Sequence, residues 1–336
     1  MAAALALSSG CSDGGGGDGE ADAVSVYRHA MDGAPRSLDP AQASSIYAKM
    51  LAVNLYDTLY RYKYLARPYE LAPNLADGMP QVSADGLIYT IRIRPGVYFS
   101  NDDAFPDGRG RAVTAEDFVY SIKRHFDPAT RAQGAWLWQD RIVGLDQWKD
   151  EGSDYDREVP GLRALDEHTV QIQLISPFPQ LVHTLAQGFS AVVPREAVEH
   201  YGASFAINPV GSGPYRLRSF DSTNAVLKRN RKFRQIPFSL EEEGYDPETQ
   251  GHLGLEVLEG RVPPFTDRVE VAFIAEDASR WNSFNSDEID FIKVPVTQFD
   301  RILSSREPPT LLPELAEKYQ LAANMESGFV HTDFNM

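Results

Sequence analysis

The chain has 336 residues, 43% hydrophobic and 24% charged, enough length for two domains and enough apolar content for a sizeable core, which excludes a disordered chain. Its 32 lysines and arginines against 48 aspartates and glutamates leave a formal charge of −16, which repels nucleic-acid phosphates and excludes nucleic acid as a partner. One cysteine, Cys11, excludes an internal disulfide.

Residues 1–10, MAAALALSSG, pass from apolar to small and lead to Cys11 and the run SDGGGGDGE, which has nothing to pack with. This resembles the end of a bacterial lipoprotein signal, with Cys11 as the lipidated residue and a flexible tether after it. The basic start of such a signal is missing, since the first cation is Arg28. No later stretch reaches the roughly 18 apolar residues of a spanning helix.

Between Ala41 and Tyr62, the spacing of Ile46, Met50, Val53, Leu55 and Leu59, with Leu51 beside them, predicts an amphipathic helix with these residues buried. DGLIYTIRIRPGVYFS alternates Tyr89, Ile91 and Ile93 against Thr90, Arg92 and Arg94, a half-buried strand ending at Pro95 and Gly96. Thr114 with Asp117 three residues on is a capping-box variant. It opens a helix with a buried stripe of Phe118, Val119, Ile122 and Phe126, stopped at Asp127 and Pro128. Val170, Ile172 and Leu174 mark another strand, broken by Pro177 and Pro179, and a short helix follows between Pro194 and Gly202. Two strands are expected around 216–220 and 225–229. A third lies in DRVEVAFIAE, then a short helix in DASRWNSFNSDE and a strand in IDFIKVP. Residues 236–262 carry Pro, Gly and acids without periodicity and read as a surface insertion. The order of elements is mixed α/β with no internal repeat.

The chemistry of common catalytic motifs is missing. Seven histidines are scattered without metal-ligand spacing, so no metal and no cofactor is expected. Gly14–Gly17 follow a tether, not a strand, so they form no phosphate loop. Ser212 in NPVGSGPYRL has Val210 and Pro214 where a nucleophile elbow needs glycines. Gly211 and Gly213 permit a tight turn and a close backbone approach, either to a ligand or to the protein itself.

Several segments in order resemble the family 5 extracytoplasmic solute-binding proteins, the oligopeptide- and dipeptide-binding components of ABC importers. They are SLDP at 37–40, NLYDTLYRY at 54–62, ELAPNLADGMPQVSADGLIYTIRIRPGVYF at 70–99, TAEDFVYSIKR at 114–124, NPVGSGPYRL at 208–217 and SDEIDFIKVP at 286–295. Gly78 and Met79 stand where a tryptophan is usual, and DGRGRAVTAED carries extra basic residues.

The resemblance implies a periplasmic-binding-protein type II-like mixed-sheet lobe with an inserted α+β subdomain and a second lobe missing. Residues 1–24 would be the signal remnant and tether, 25–60 and 194–330 lobe one, 61–193 the subdomain, and 331–336 the truncated start of the second lobe. It implies a non-enzymatic monomer, anchored by Cys11 at the cell surface or in the periplasm, that captures a peptide and delivers it to ABC permease subunits in the membrane. Ligand contacts are expected from Ser45, Ile46 and Tyr47 after SLDP, from Trp136 and its neighbour Trp138 in GAWLWQDRIVG, and from Gly211, Ser212 and Gly213. Core packing is an equal reading for both tryptophans, and Tyr47 fits the buried stripe of its helix. Two rivals stay open: the same fold binding nickel, haem, glutathione or a sugar, and an extracytoplasmic hydrolase with a histidine and an acid beside Ser212.

Overall fold

The computed structural model describes residues 2–7 and 24–324. Strands β1 (Ala2–Leu7) and β2 (Val26–Met31) precede helix α1 (Ile46–Leu55), the hairpin β3 (Tyr60–Tyr62) and β4 (Leu71–Pro73), and strands β5 (Gln81–Val82) and β6 (Ile88–Arg92). Helices α2 (Ala115–Lys123) and α3 (Leu145–Asp150) lead to β7 (Leu162–Asp166), β8 (Thr169–Gln173), α4 (Leu181–Thr184) and α5 (Arg195–Tyr201). Then come β9 (Tyr215–Phe220), β10 (Asn224–Arg229), α6 (Pro247–Gln250), β11 (Arg268–Phe273), α7 (Asp277–Asn285) and β12 (Phe291–Lys293). Short elements follow: α8 (Phe299–Ile302), β13 (Leu303–Arg306), β14 (Pro309–Leu311), α9 (Pro313–Ala316) and β15 (Tyr319–Asn324).

The chain divides into two compact units: residues 35–220 with 227–267, and the segments before 35, at 221–226 and from 268 on. The boundaries expected at 60/61 and 193/194 fall inside the larger unit.

In the smaller unit the strands run in the order β15, β1, β12, β2, β11. β2 pairs parallel with β11 from Val26 opposite Arg268 to Met31 opposite Phe273, while β1 lies antiparallel to both β12 and β15. Residues 2–7, read above as the end of an export signal, therefore form a strand here. Cys11 and residues 331–336 lie outside the described residues. The unit's core gathers Phe284, Ile289, Ile292, Val294, Ile302 and Leu311 from α7 onward. Arg28 ties β2 to the turn before β12, its backbone N–H donating to the Asp290 carboxylate at 2.6 Å.

In the larger unit β5, β6, β8 and β7 form an antiparallel sheet in that order. Tyr89 faces Ile172 and Ile91 faces Val170 across β6 and β8, and all four are buried, as the alternation predicts. Helix α2 starts as the capping pattern requires, the Asp117 carboxylate accepting the Thr114 N–H at 2.8 Å and the Thr114 hydroxyl at 3.0 Å. Phe118, Val119, Ile122 and Phe126 are buried.

Helix α1 forms where expected and buries part of the expected set, Leu51 and Leu55 within it and Leu59 beyond it, but not the rest. Ala48, Leu51, Ala52 and Leu55 are inside, while Ile46, Met50 and Val53 are 66%, 42% and 70% exposed. Every side of this helix carries apolar residues, so their spacing alone names no buried side.

The insertion at 236–262 is also more than surface. Glu243 is buried, pairs with Arg61 of β3, and its backbone carbonyl accepts the Leu65 and Ala66 N–H groups at 3.0 Å each. Burial of the carboxylate is offset by the Arg61 bond and the Tyr64 N–H, which hold Glu243 below its usual pKa.

Candidate ligand-binding site

The SLDP segment is pinned from beneath. Asp39 and Arg124, both buried, make two parallel hydrogen bonds of 2.9 and 2.6 Å. A second Asp39 contact, from the Ala41 N–H at 3.1 Å, fixes the turn that feeds α1. Burial, and after it the Asp39 charge, hold the neighbouring Tyr56 hydroxyl well above its ordinary pKa.

From this anchor two expected site segments run side by side. The Gln133 N–H donates to the Ala41 carbonyl at 2.8 Å, and Gln42 Nε2 donates to the Thr130 carbonyl at 2.8 Å. Ser45 caps α1, its hydroxyl accepting the Ala48 N–H at 3.2 Å. Ile46 follows exposed and Tyr47 half-buried. In the partner segment Trp136 is 63% exposed in a single 3₁₀ turn, Ala135–Leu137. Phe189 touches both sides: Lys49 Nζ of α1 lies 5.3 Å from its ring centre, and the Gly134 backbone is so close that a Cβ there would stand 2.7 Å from the ring. Ser45, Ile46 and Tyr47 thus lie on one of two joined segments and Trp136 on the other.

The other expected residues point inward. Trp138 is fully buried and belongs to the core, the packing reading of that residue. Gly211 and Gly213 make their close approach to the C-terminal end of α1: a Cβ on Gly211 would lie 2.2 Å from the Leu55 carbonyl oxygen, and the Gly213 N–H donates to that oxygen at 3.1 Å. Ser212 is 1% exposed and donates its hydroxyl to Asp57 at 2.9 Å. Asp57 in turn accepts two bonds from Arg234, at 2.8 and 3.0 Å, and one from Asn74 at 3.1 Å.

A serine that donates to an acid already saturated by a guanidinium has no base to take its proton, so this network lacks the geometry of a nucleophile. Asp57, Asn74 and Arg234 went unpredicted. Asp57 lies in the quoted NLYDTLYRY, but nothing in the spacing ties it to Arg234, 177 positions away.

His125 packs edge-on against Phe189, ring centres 6.1 Å apart. It is buried, with Nε2 2.7 Å from the Phe189 carbonyl, which makes it the neutral Nε2–H tautomer, and desolvation lowers its pKa to about 4.

The family description "Bacterial extracellular solute-binding proteins, family 5 Middle" matches residues 70–330. The chain belongs to this family. Among its relatives, the glutathione-binding protein GsiB of Pectobacterium atrosepticum is 27% identical over 190 residues, 56% of this chain and 31% of that protein. The periplasmic oligopeptide-binding protein OppA of Escherichia coli is 28% identical over 199 residues, 58% of this chain and 34% of that one. Among solved structures, an oligopeptide-binding OppAIV of Borrelia burgdorferi superposes with a TM-score of 0.65 at 22% identity, covering 82% of this chain and 49% of that one. OppA of Listeria monocytogenes bound to peptide gives 0.62 at 21% identity, covering 79% and 46%. These likenesses show the fold, the mixed α/β architecture of type II periplasmic binding proteins. This family 5 chain spans about a third of the length of the relatives it matches and just under half of the solved neighbours.

Proposed function

We propose that this chain belongs to the capture component of an ABC importer, a non-enzymatic monomer that takes up peptides outside the cytoplasm and hands them to permease subunits in the membrane. The reading rests on Ile46 and Trp136, exposed on two segments joined by the Gln133–Ala41 and Gln42–Thr130 hydrogen bonds, in a fold shared with an OppA solved with bound peptide. Apolar side chains presented on a fixed backbone suit a ligand held by its main chain with tolerant contacts to its side chains. Cys11 is proposed as the lipid anchor, placing the protein in the periplasm or at the cell surface.

A second reading has a specific observation behind it, the likeness to glutathione-binding relatives, since glutathione is itself a small peptide-like molecule. Native mass spectrometry of the full natural gene product, purified from its host, tests both. Co-purifying peptides, with affinity reduced about tenfold or more by Trp136→Ala, support the peptide reading. A single bound species of glutathione mass supports the second. A protein that binds neither, or whose peptide affinity is unchanged by Trp136→Ala, overturns the site.

A further inference from the structure

A cavity of about 410 Å³ lies in the larger unit along α2 and α5, apart from Ser45, Ile46, Tyr47 and Trp136. Most of its charges cancel locally. Arg111 makes paired hydrogen bonds to Asp117, at 2.8 and 2.7 Å, and to Glu196, at 2.6 and 2.8 Å. Arg195 is held by Glu199 at 2.6 Å and Asp156 at 3.0 Å.

Two lining charges are left without a counter-ion, both on α2. Glu116, exposed in the first turn, has a side chain that makes no hydrogen bond or ion pair among the described residues. Lys123, only 5% exposed at the other end, donates to the carbonyls of Tyr155 at 3.1 Å and Arg157 at 2.7 Å and has no carboxylate within ion-pair distance among the described residues. Asp154, Asp156 and Glu116 act on it only at longer range, and burial lowers its pKa. An ammonium group has three donors, of which the two carbonyls take two, and a buried cation with no carboxylate beside it is costly. Between the two charges sits Tyr120, 9% exposed, which also lines the cavity and whose hydroxyl makes no hydrogen bond among the described residues.

Positions 116, 120 and 123 share one face of α2, and seven helical residues rise ~10.5 Å. Three extended residues span ~10–11 Å. We propose that this cavity is a second binding site, for a small zwitterion the length of an unblocked tripeptide. The α-ammonium group meets Glu116, the α-carboxylate takes the third donor of Lys123, and the Tyr120 hydroxyl bonds a peptide group between them.

Trp148 reports on the site, since Lys123 Nζ lies 5.4 Å from its ring centre and its indole N–H donates to the Asp154 carbonyl at 2.7 Å. The test titrates the protein with triglycine while following the ¹⁵N-indole resonance of Trp148, assigned with Trp148→Phe. The expected result is a saturable shift, with N-acetyl-triglycine and triglycine amide each weaker by about fivefold or more. Glu116→Gln, an exposed change that leaves the fold intact, abolishes the discrimination against the acetylated peptide and keeps that against the amide. Equal binding of all three peptides, unchanged discrimination in Glu116→Gln, or triglycine binding seen by calorimetry with no movement of Trp148, each overturns the proposal. The last outcome places the peptide elsewhere, so it leaves the Trp136 site standing.

Discussion

Helices α1 and α2, ten and nine residues long, lie in the same unit and make opposite use of their apolar residues. In α2 every position but Glu116 is buried, and the expected apolar residues Phe118, Val119 and Ile122 are all inside. In α1 the large side chains Ile46, Met50 and Val53 face outward, while two alanines and two leucines face inward. The glycine loop at 211–213 meets only the C-terminal end of α1, at the Leu55 carbonyl and Tyr56, where a Cβ would not fit. The large side chains Ile46, Met50 and Val53 of α1 are left for solvent or ligand.

The contrast can be broken at the joint between the two helices. Asp39→Ala leaves the Arg124 guanidinium buried and unpaired, and should cost about 3–5 kcal/mol, read as a lower urea midpoint. Truncating each helix at its most telling residue comes next. Phe118→Ala in α2 should lose about 3–5 kcal/mol. Val53→Ala in α1, though it removes an apolar side chain of the supposed stripe, should stay within about 0.5 kcal/mol. Equal losses in the two would show that the spacing of Ile46, Met50 and Val53 marks a buried side of α1 after all.

Acid should weaken the same joint. The folded-state pKa of His125, about 4, lies below its unfolded value of 6.5, so the unfolded chain takes up the proton first. The contribution of neutral His125 is complete above pH 6.5 and is lost as pH falls toward 4, about 3 kcal/mol between pH 7 and 4. His125→Gln should flatten the pH dependence of the unfolding free energy in that window. A smaller effect sharpens the account of α1 itself: Gly213→Ala forces a Cβ to within 2.6 Å of the Leu55 carbonyl carbon, and should cost about 1–3 kcal/mol in a melting experiment. Wild-type stability in that variant would mean that the loop yields and does not hold α1 in place.

Much of this molecule follows from local rules. Alternation placed Tyr89, Ile91, Val170 and Ile172 on one buried side of a sheet, and Thr114 with Asp117 began α2 as capping chemistry requires, because each rule involves atoms within a few residues of one another. The ordered motifs carried the family and with it the fold. Ser45, Ile46, Tyr47 and Trp136 could be named from the chain, but that their two segments are joined depends on two hydrogen bonds between residues about ninety positions apart. Tertiary structure alone decided that Trp138 belongs to the core, that Ser212 serves Asp57 and Arg234, and which side of α1 is free. The physical reason is the same in each case: burial and pairing are set by the neighbour that arrives from elsewhere in the chain, and apolar character or a hydroxyl group does not specify that neighbour.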